Sequence, residues 1–375
     1  MIEIKEVKGR RMLKQFIEFP VKLYKDCPYF TPYLYDDELN NLIPSRNPAS
    51  KYCEFKLFLA YKDKKIVGRI CGIINNFANE KYHQNRVRFN RIDMIDDIEV
   101  TKALIGAVEQ FGKEHGLTEI NGPLGYSDQD KEGMLIKGFD QLNMFVTFYT
   151  HEYYIKHMEQ LGFKIDARWK EYKIMIPKEL DPRLVKSSQF VQKKFGLHLA
   201  TFKSKRELKK EIVIEFLKLI NTCYANLYGY VPIDEKQMGH LAAQYIPLIN
   251  LRYLSLVYDE NNKMVAAGLL IPTPVHALKK HKGHLFPFGF IDFLHDLNHA
   301  KVLDMLLVAC DPEYQNTGAM SIIFENSIRH AIEDGIEHAE TGPELEYNTN
   351  VQALWKTFDT INHKERVCWL KPIEK

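Results

Sequence analysis

The chain has 375 residues, of which 45% are hydrophobic, and its formal net charge is +2. At roughly 100–200 residues per domain, this length predicts two domains, and such a composition excludes an intrinsically disordered chain. The balanced charge argues against a protein that binds nucleic acid or a membrane surface over its whole length. The six cysteines form no CxxC pair and the N-terminal residues lack a signal-peptide core, so we expect free thiols, no membrane span and a cytoplasmic location.

Four sequence patterns occur twice, in the same order, in the two halves of the chain. The first predicts a strand and a helix start, the second a β-hairpin, the third an amphipathic helix with a strand that ends in Gly-Pro, and the fourth a helix and a final strand. The matching pairs are 4–14 with 199–209, 57–74 with 254–271, 100–123 with 318–343, and 153–176 with 350–373. The repeat therefore predicts two domains, residues 1–180 and 181–375.

Each half combines an antiparallel hairpin with a strand-helix-strand crossover. This combination predicts a mixed α/β fold, in which each half forms a mostly antiparallel sheet flanked by helices. A helix over 183–197 is predicted to link the halves. The second half also carries an insertion, 272–300, that is rich in Phe, His and Pro.

Three interpretations of the insertion are open. The phenylalanines indicate a hydrophobic substrate channel or a contact between the halves, and a solvated basic loop is the alternative; they are Phe286, Phe288, Phe290 and Phe293. His295 and His299 have the spacing of metal ligands on one helix face. Because Lys279, Lys280 and Lys282 would oppose a cation, we predict no metal site.

The order of elements resembles the GCN5-related N-acetyltransferase (GNAT) superfamily, as a tandem pair over nearly the whole chain. The family's phosphate-binding signature, Gln/Arg-x-x-Gly-x-Gly/Ala, is matched by Gln315 and Gly318, whereas Met320 departs from it. A later signature, Asn followed seven residues on by Tyr, is matched by Asn348 and departs at Trp355. The resemblance implies an N-acyltransferase that takes acetyl-CoA or another acyl-CoA as co-substrate.

Only the second half is predicted to bind this co-substrate. Its helix begins after an acid-free turn, and a bare helix N-terminus attracts a diphosphate. The matching turn of the first half holds Asp96, Asp97 and Glu99, which cap the helix and repel an anion. The predicted cofactor-binding residues are Val308, Ala309, Cys310, Gln315, Asn316, Thr317, Gly318, Ala319, Met320, Asn348 and Trp355.

Acyl transfer needs a base for the amine and a proton for the leaving thiolate. Asp304 on the predicted strand and Glu346 after Gly-Pro are the predicted catalytic bases, with Tyr347 as the acid. Glu344 and Tyr314 are alternatives, and each of these residues could instead be a surface carboxylate or a tyrosine at the edge of the core. Cys310 is interpreted as a packed thiol rather than a nucleophile.

Three functions remain open at this point. The first is an acyl-CoA-dependent N-acyltransferase that acts on a small-molecule or peptide amine. The second is a non-catalytic binding or scaffold protein derived from such an enzyme. The third is transfer of an aminoacyl group from tRNA, against which the balanced charge argues, since phosphate contacts need clustered Lys and Arg. A homodimer is left open.

Overall fold

The fold of the first half follows the predicted order of elements. The structure, a computed structural model, describes residues 1–374, and for residues 240, 243–245 and 247 it describes the backbone alone. The elements of the first half are β1 (Glu3–Glu6), α1 (Gly9–Leu23), α2 (Tyr35–Asn41), β2 (Cys53–Lys62), β3 (Lys65–Asn75), α3 (Asn76–Lys81), β4 (Arg86–Met94), α4 (Ile98–Glu114), β5 (Glu119–Gly122), β6 (Met134–Lys137), α5 (Tyr153–Gln160) and β7 (Lys164–Met175).

The second half repeats this order after a linking helix, and its insertion forms two further helices. Its elements are α6 (Pro182–Phe195), β8 (His198–Leu199), α7 (Lys210–Tyr224), α8 (Glu235–Tyr245), β9 (Leu254–Tyr258), β10 (Met264–Pro272), α9 (Val275–Lys280), α10 (Gly289–His299), β11 (Val302–Cys310), α11 (Met320–Glu333), β12 (His338–Thr341), β13 (Glu344–Leu345), α12 (Thr349–Trp355) and β14 (Thr360–Pro372). None of the helices in the described part of the chain combines the length and the apolar character needed to cross a bilayer.

All strands join one sheet in the order β1-β2-β3-β4-β5-β14-β7-β12-β11-β10-β9-β8, with β6 beside β14 and β13 beside β7. Strand pairs β4–β5 and β11–β12 are parallel, and the other pairs are antiparallel. The predicted mixed α/β class with a mostly antiparallel sheet flanked by helices is thereby confirmed.

The last strand of each half pairs with the other half. β14 lies between β5 and β7, and β7 lies between β14 and β12. In the centre, Arg366 of β14 stands opposite Trp169 of β7. The sequence did not indicate this exchange, because the final strand has the same pattern whichever neighbour it pairs with. The division into domains at residue 180 stays a prediction, and the two halves share one continuous sheet.

The repeated helices pack closely on the sheet at matching glycines. A Cβ atom at Gly68 of β3 would lie 2.8 Å from Leu104 Cδ1 of α4. The same atom at Gly268 of β10 would lie 2.9 Å from Ile323 Cγ2 of α11. Because any larger residue would push the helix away, these glycines set the height of each helix above the sheet.

A gap opens between β11 and β12, and it positions the candidate site. The two strands pair only from Val302 to Met305, after which β12 ends while β11 continues to Cys310. On its other side, the register between β10 and β11 skips Leu306. Such a bulge bends the strand away from its neighbour. The edge of β11 after Met305 therefore has no strand partner on the side of β12.

Candidate active site

The turn before α11 leaves backbone N–H groups open to a ligand. Gly318 adopts a left-handed conformation with φ of 86°, which glycine permits without strain. Gln315, Asn316 and Gly318 are exposed, and none of the described side chains caps the first turn of α11. A bare, exposed helix start is the arrangement that proteins use to bind phosphate groups.

Met320, which departs from the phosphate-binding signature of the GNAT superfamily, does not obstruct this turn. Ala319 and Met320 are buried, and they pack with Val191 of α6 and with Ile323. Their side chains thus lie in the core behind the turn, and a ligand would meet the backbone on the other side. Thr317 Oγ1 accepts a long hydrogen bond of 3.3 Å from the backbone N–H of Ala319.

The matching turn of the first half is closed by a carboxylate. Asp97 caps α4 and accepts a hydrogen bond of 3.0 Å from the backbone N–H of Glu99. Lys62 Nζ donates to the same carboxylate at 2.7 Å, and this contact, with the backbone bonds, lowers the pKa of Asp97. Asp96 forms an ion pair of 3.2 Å with His157. The donors that a diphosphate would need are already used here.

Side chains of α7 reach the edge of β11 that has no strand partner. Tyr224 donates its hydroxyl to the carbonyl oxygen of Val308 at 3.1 Å, and Cys223 Sγ contacts the carbonyl oxygen of Cys310 at 3.2 Å. Ala309 between them is buried. Burial raises the pKa of the Cys310 thiol to about 12, so the thiol is protonated at neutral pH and packs as the sequence suggested.

Asp304 is a buried carboxyl group that titrates near neutral pH. Its side chain accepts a hydrogen bond of 2.9 Å from Thr273 Oγ1, and it stands in register with Glu340 on β12. Burial, together with the charge of Glu340, raises the pKa of Asp304 to about 7. A carboxyl group with such a pKa can accept a proton at physiological pH, as a general base must.

Asp304 lies at the end of a row of buried charged residues that spans the centre of the sheet. Lys364 Nζ of β14 lies 3.0 Å from Glu340 and 3.4 Å from Glu171 of β7, and Arg366 donates to Glu171. Burial opposes the charge on Glu340, but a hydrogen bond from His338 and the charge of Lys364 prevail and lower the pKa of Glu340 to about 2. Glu340 therefore stays ionised, and Asp304 is the member that gains or loses a proton.

The residue at the usual tyrosine position, Trp355, forms a hydrogen bond with a second carboxyl group, that of the half-buried Glu344. Trp355 is 3% exposed, packs on Phe324, and donates from Nε1 to Glu344 Oε1 at 2.8 Å. Burial raises the pKa of Glu344 to about 8. At neutral pH this carboxyl group is therefore protonated in most molecules, and it can supply a proton. The sequence named Glu344 only as an alternative, since burial after Gly-Pro could not be read from it.

The other two predicted catalytic residues, Glu346 and Tyr347, lie at the surface. Glu346 is exposed and forms ion pairs of 3.1 Å with Lys170 and 3.8 Å with Arg168. Tyr347 is 61% exposed. Asn348 stands at the start of α12 without a side-chain capping bond. Their proposed roles stay predictions, and Asp304 and Glu344 are the candidate residues here whose carboxyl pKa values are raised to about 7 and about 8.

A cavity of about 600 Å³ lies beside the insertion and reaches Thr273, the partner of Asp304. Its wall also contains Leu142, Val275, His295 and His299. The rings of the two histidines stack with centroids 4.3 Å apart. Among the described residues, no group of three or more His, Cys, Asp or Glu side chains is arranged to hold a metal ion.

The insertion differs from the predicted channel. Phe293 is buried, but Phe286, Phe288 and Phe290 are exposed to solvent. They do not line the cavity, and they are not covered by the first half. The physical reason is that α10 uses Phe293 and Leu297 to pack inward, which leaves its other apolar residues on the outside.

Comparison with known proteins relates the chain to bacterial proteins. No protein-family model matches the sequence. Protein YghO of Escherichia coli K12 is 30% identical over 291 residues, which cover 75% of this chain and 71% of YghO. The bacterial ceramide synthase of Caulobacter vibrioides is 28% identical over 299 residues, covering 77% of this chain and 74% of that protein.

The fold has solved counterparts. The tandem GNAT protein from the clavulanic acid biosynthesis pathway superimposes with a TM-score of 0.60 at 9% identity, over 100% of this chain and 99% of that one. At this identity the likeness shows the fold alone. Together with the repeated halves, the parallel crossovers and the match to YghO, it shows that the chain belongs to the tandem GCN5-related N-acetyltransferase (GNAT) family that includes protein YghO.

Proposed function

We propose that this protein is an acyl-CoA-dependent N-acyltransferase whose active site lies in the second half, and that its acceptor is a long-chain amine. The observation that carries the proposal is the exposed, uncapped start of α11 behind Gly318, which follows the strand that carries Asp304. The similarity to a ceramide synthase supports the choice of acceptor, since a ceramide is an N-acylated long-chain amino alcohol.

The residues of the chain fit an acyl-CoA. Backbone N–H groups around Gly318, other than that of Ala319, would bind the diphosphate, and the unpaired edge of β11 at Val308 and Cys310 would align the pantetheine arm. The carbonyl oxygens of this edge already accept from α7, so Tyr224 and Cys223 form one wall of that path. When bound, the acyl-CoA supplies an activated acyl group as a thioester.

We assign the two proton transfers of this reaction to Asp304 and Glu344, whose carboxyl pKa values are raised. Asp304 takes one proton from the nitrogen of the neutral amine as this nitrogen forms the new C–N bond with the thioester carbonyl carbon. The C–S bond breaks, and Glu344 gives its proton to the departing sulfur. Thr273 orients Asp304, and Trp355 orients Glu344. Two carboxyl groups with pKa values of about 7 and about 8 can divide the roles of base and acid in this way.

Calorimetric titration with acetyl-CoA, octanoyl-CoA and palmitoyl-CoA tests the site. We expect binding by the unmodified chain and at least about tenfold weaker binding by Asn316→Asp, which adds a carboxylate of nearly the same size to the exposed turn. Asn76→Asp, an equally exposed change at the start of α3 in the first half, is the matched control. Absence of binding at millimolar ligand, or equal binding by both variants, would contradict the proposed site.

A second candidate function is a non-catalytic binding protein. Trp355 in place of a tyrosine and the hydrogen bonds from α7 to the strand edge favour it. Acyl transfer to a long-chain amino alcohol, followed by mass spectrometry, separates the two. Binding of acyl-CoA without any N-acylated product would leave the second function in place.

A further inference from the structure

An apolar patch on the insertion is exposed to solvent. It consists of five side chains, here called the patch, with exposed fractions of 74% for Phe286, 69% for Phe288, 40% for Phe290, 56% for Ile291 and 45% for Leu294. The described chain has 13 exposed large hydrophobic residues, and five of them fall within the nine positions 286–294. Single exposed hydrophobic residues are ordinary, but a contiguous group marks a surface that contacts something apolar.

The helix that carries most of the patch is apolar on two sides. Phe293 and Leu297 of α10 are each 4% exposed and pack inward against the sheet. Ile291 and Leu294 point outward, and the ring of Phe290 lies 6.1 Å from that of Phe286. One apolar face is sufficient to pack a helix on its sheet, so the apolar residues on the outer face of α10 are not needed for folding.

The rim of the patch is basic. Lys279, Lys280 and Lys282 are exposed just before it. The acids of the segment are already bound, since Asp292 pairs with Lys280 at 2.8 Å and with His281 at 2.5 Å, and buried Asp296 accepts from a backbone N–H of α9. An apolar group with lysines beside it complements a surface that is apolar inside and anionic outside.

We propose that the patch docks the protein on an anionic lipid bilayer. The aromatic and aliphatic side chains insert at the level of the headgroups, and Lys282 contacts anionic headgroups. Lys279 and Lys280 do the same on leaving their present partners, the carbonyl oxygen of Pro28 and the carboxylate of Asp292. A second copy of the chain fits this surface less well. In a two-fold dimer the same patch meets itself, and the lysine rim of one copy would face the lysine rim of the other.

The docked orientation places the cavity near the lipid. The cavity beside Thr273 is also lined by Lys279, Lys280 and His295, which belong to the rim of the patch and to α10. An acceptor with a long alkyl chain could thus pass from the bilayer to Asp304 without crossing water. This step depends on the proposed function, whereas docking on the bilayer does not.

Vesicle flotation tests the docking without acyl-CoA and without any acceptor. The full chain should float with vesicles that contain phosphatidylglycerol, and more weakly with phosphatidylcholine alone. The triple variant Phe286→Ser, Phe288→Ser and Ile291→Ser should lose this binding, by roughly tenfold for each large side chain removed. Because all three residues are exposed, their replacement should leave thermal unfolding unchanged.

The control is Phe190→Ser, which removes a phenylalanine that is 61% exposed on α6, beside Lys194. It should float like the unmodified chain. The proposal is overturned if vesicle binding survives the triple substitution, or if the unmodified chain binds no vesicles. A dimer of the unmodified chain that falls apart in the triple variant would instead assign the patch to a second copy. Acyl transfer to an amine dissolved in detergent is measured in parallel, so that a failure of the proposed function is seen separately.

Discussion

The substitution Asp304→Asn tests two expectations: that Asp304 is the catalytic base, and that its burial makes the free energy of unfolding depend on pH. Burial and the neighbouring Glu340 raise the pKa of Asp304 from 3.8 to about 7. The folded protein therefore holds this proton more tightly than the unfolded chain does. The contribution of this proton to the free energy of unfolding is fully present below about pH 4 and is lost as the pH rises through about 7. At about 1.4 kcal/mol for each pKa unit, the difference corresponds to up to about 4 kcal/mol.

Asparagine has the size of Asp304 and keeps an acceptor for Thr273, but it carries no charge. We expect Asp304→Asn to match the unmodified chain in stability near about pH 4 and to exceed it by up to about 4 kcal/mol near about pH 8. Denaturant unfolding at both pH values measures this. The same variant should lose about 10²–10⁴-fold in kcat/KM for acyl transfer. In the unmodified chain kcat/KM should rise with pH through about 7, because the base must be deprotonated.

The matched control is Asp93→Asn, on the equivalent strand of the first half. Asp93 is also buried, but it pairs with buried Arg69 at 2.7 Å. Its removal leaves a buried cation without its carboxylate, so we expect a loss of about 3–5 kcal/mol at neutral pH with unchanged turnover of the folded protein. The reasoning fails if Asp304→Asn keeps wild-type kcat/KM, or if its stability relative to the unmodified chain is the same at both pH values.

Three further outcomes follow from the geometry of the helix starts and of the tryptophan. Gly318→Ala and Gly335→Ala place alanine in a left-handed conformation at the two ends of α11, and each variant should lose about 1–2 kcal/mol of stability in thermal unfolding. Calorimetry should show weaker acyl-CoA binding for Gly318→Ala alone. Equal affinities of the two variants would contradict the role of the turn. Asp97→Ala should cost about 1 kcal/mol through the lost helix cap and leave acyl-CoA affinity unchanged, so a fall in affinity would assign the cofactor to the wrong half. Trp355→Phe removes the indole N–H that donates to Glu344 and should destabilise the protein by about 1–3 kcal/mol. Because the lost hydrogen bond stabilises the ionised carboxylate, the loss of stability should be larger above the Glu344 pKa of about 8 than below it. A loss that does not depend on pH would rule out this role.

The repeated patterns and the local turn chemistry were sufficient to predict most elements. The helix over 183–197 is present as α6, and the two predicted hairpins and the two amphipathic helices lie where their periods placed them. Such elements follow from contacts between neighbours in the chain, namely the spacing of apolar residues and the turn residues between them. The contrast between the capped turn at Asp97 and the uncapped turn at Gly318 could also be read directly, since a cap depends on residues two or three positions apart.

Three features depended on residues that are distant in the sequence. The exchange of β7 and β14 is decided by which strands become neighbours, and the hydrophobic pattern of a strand does not record its partner. The row from Asp304 to Arg366 arises only after this exchange, because its members come from four strands of both halves. In the sequence its charged residues stand in separate segments, and no local pattern marks them as buried neighbours.

The sequence by itself thus determined the repeat, the class of fold and the half that has a bare helix start, since each of these depends on local patterns. Only the tertiary structure decided the raised pKa values of Asp304 and Glu344 and the outward position of Phe286 and its neighbours. Burial and the distance to other charges set these properties. Both are sums over atoms that the fold brings together from separate parts of the chain, and therefore no local pattern encodes them.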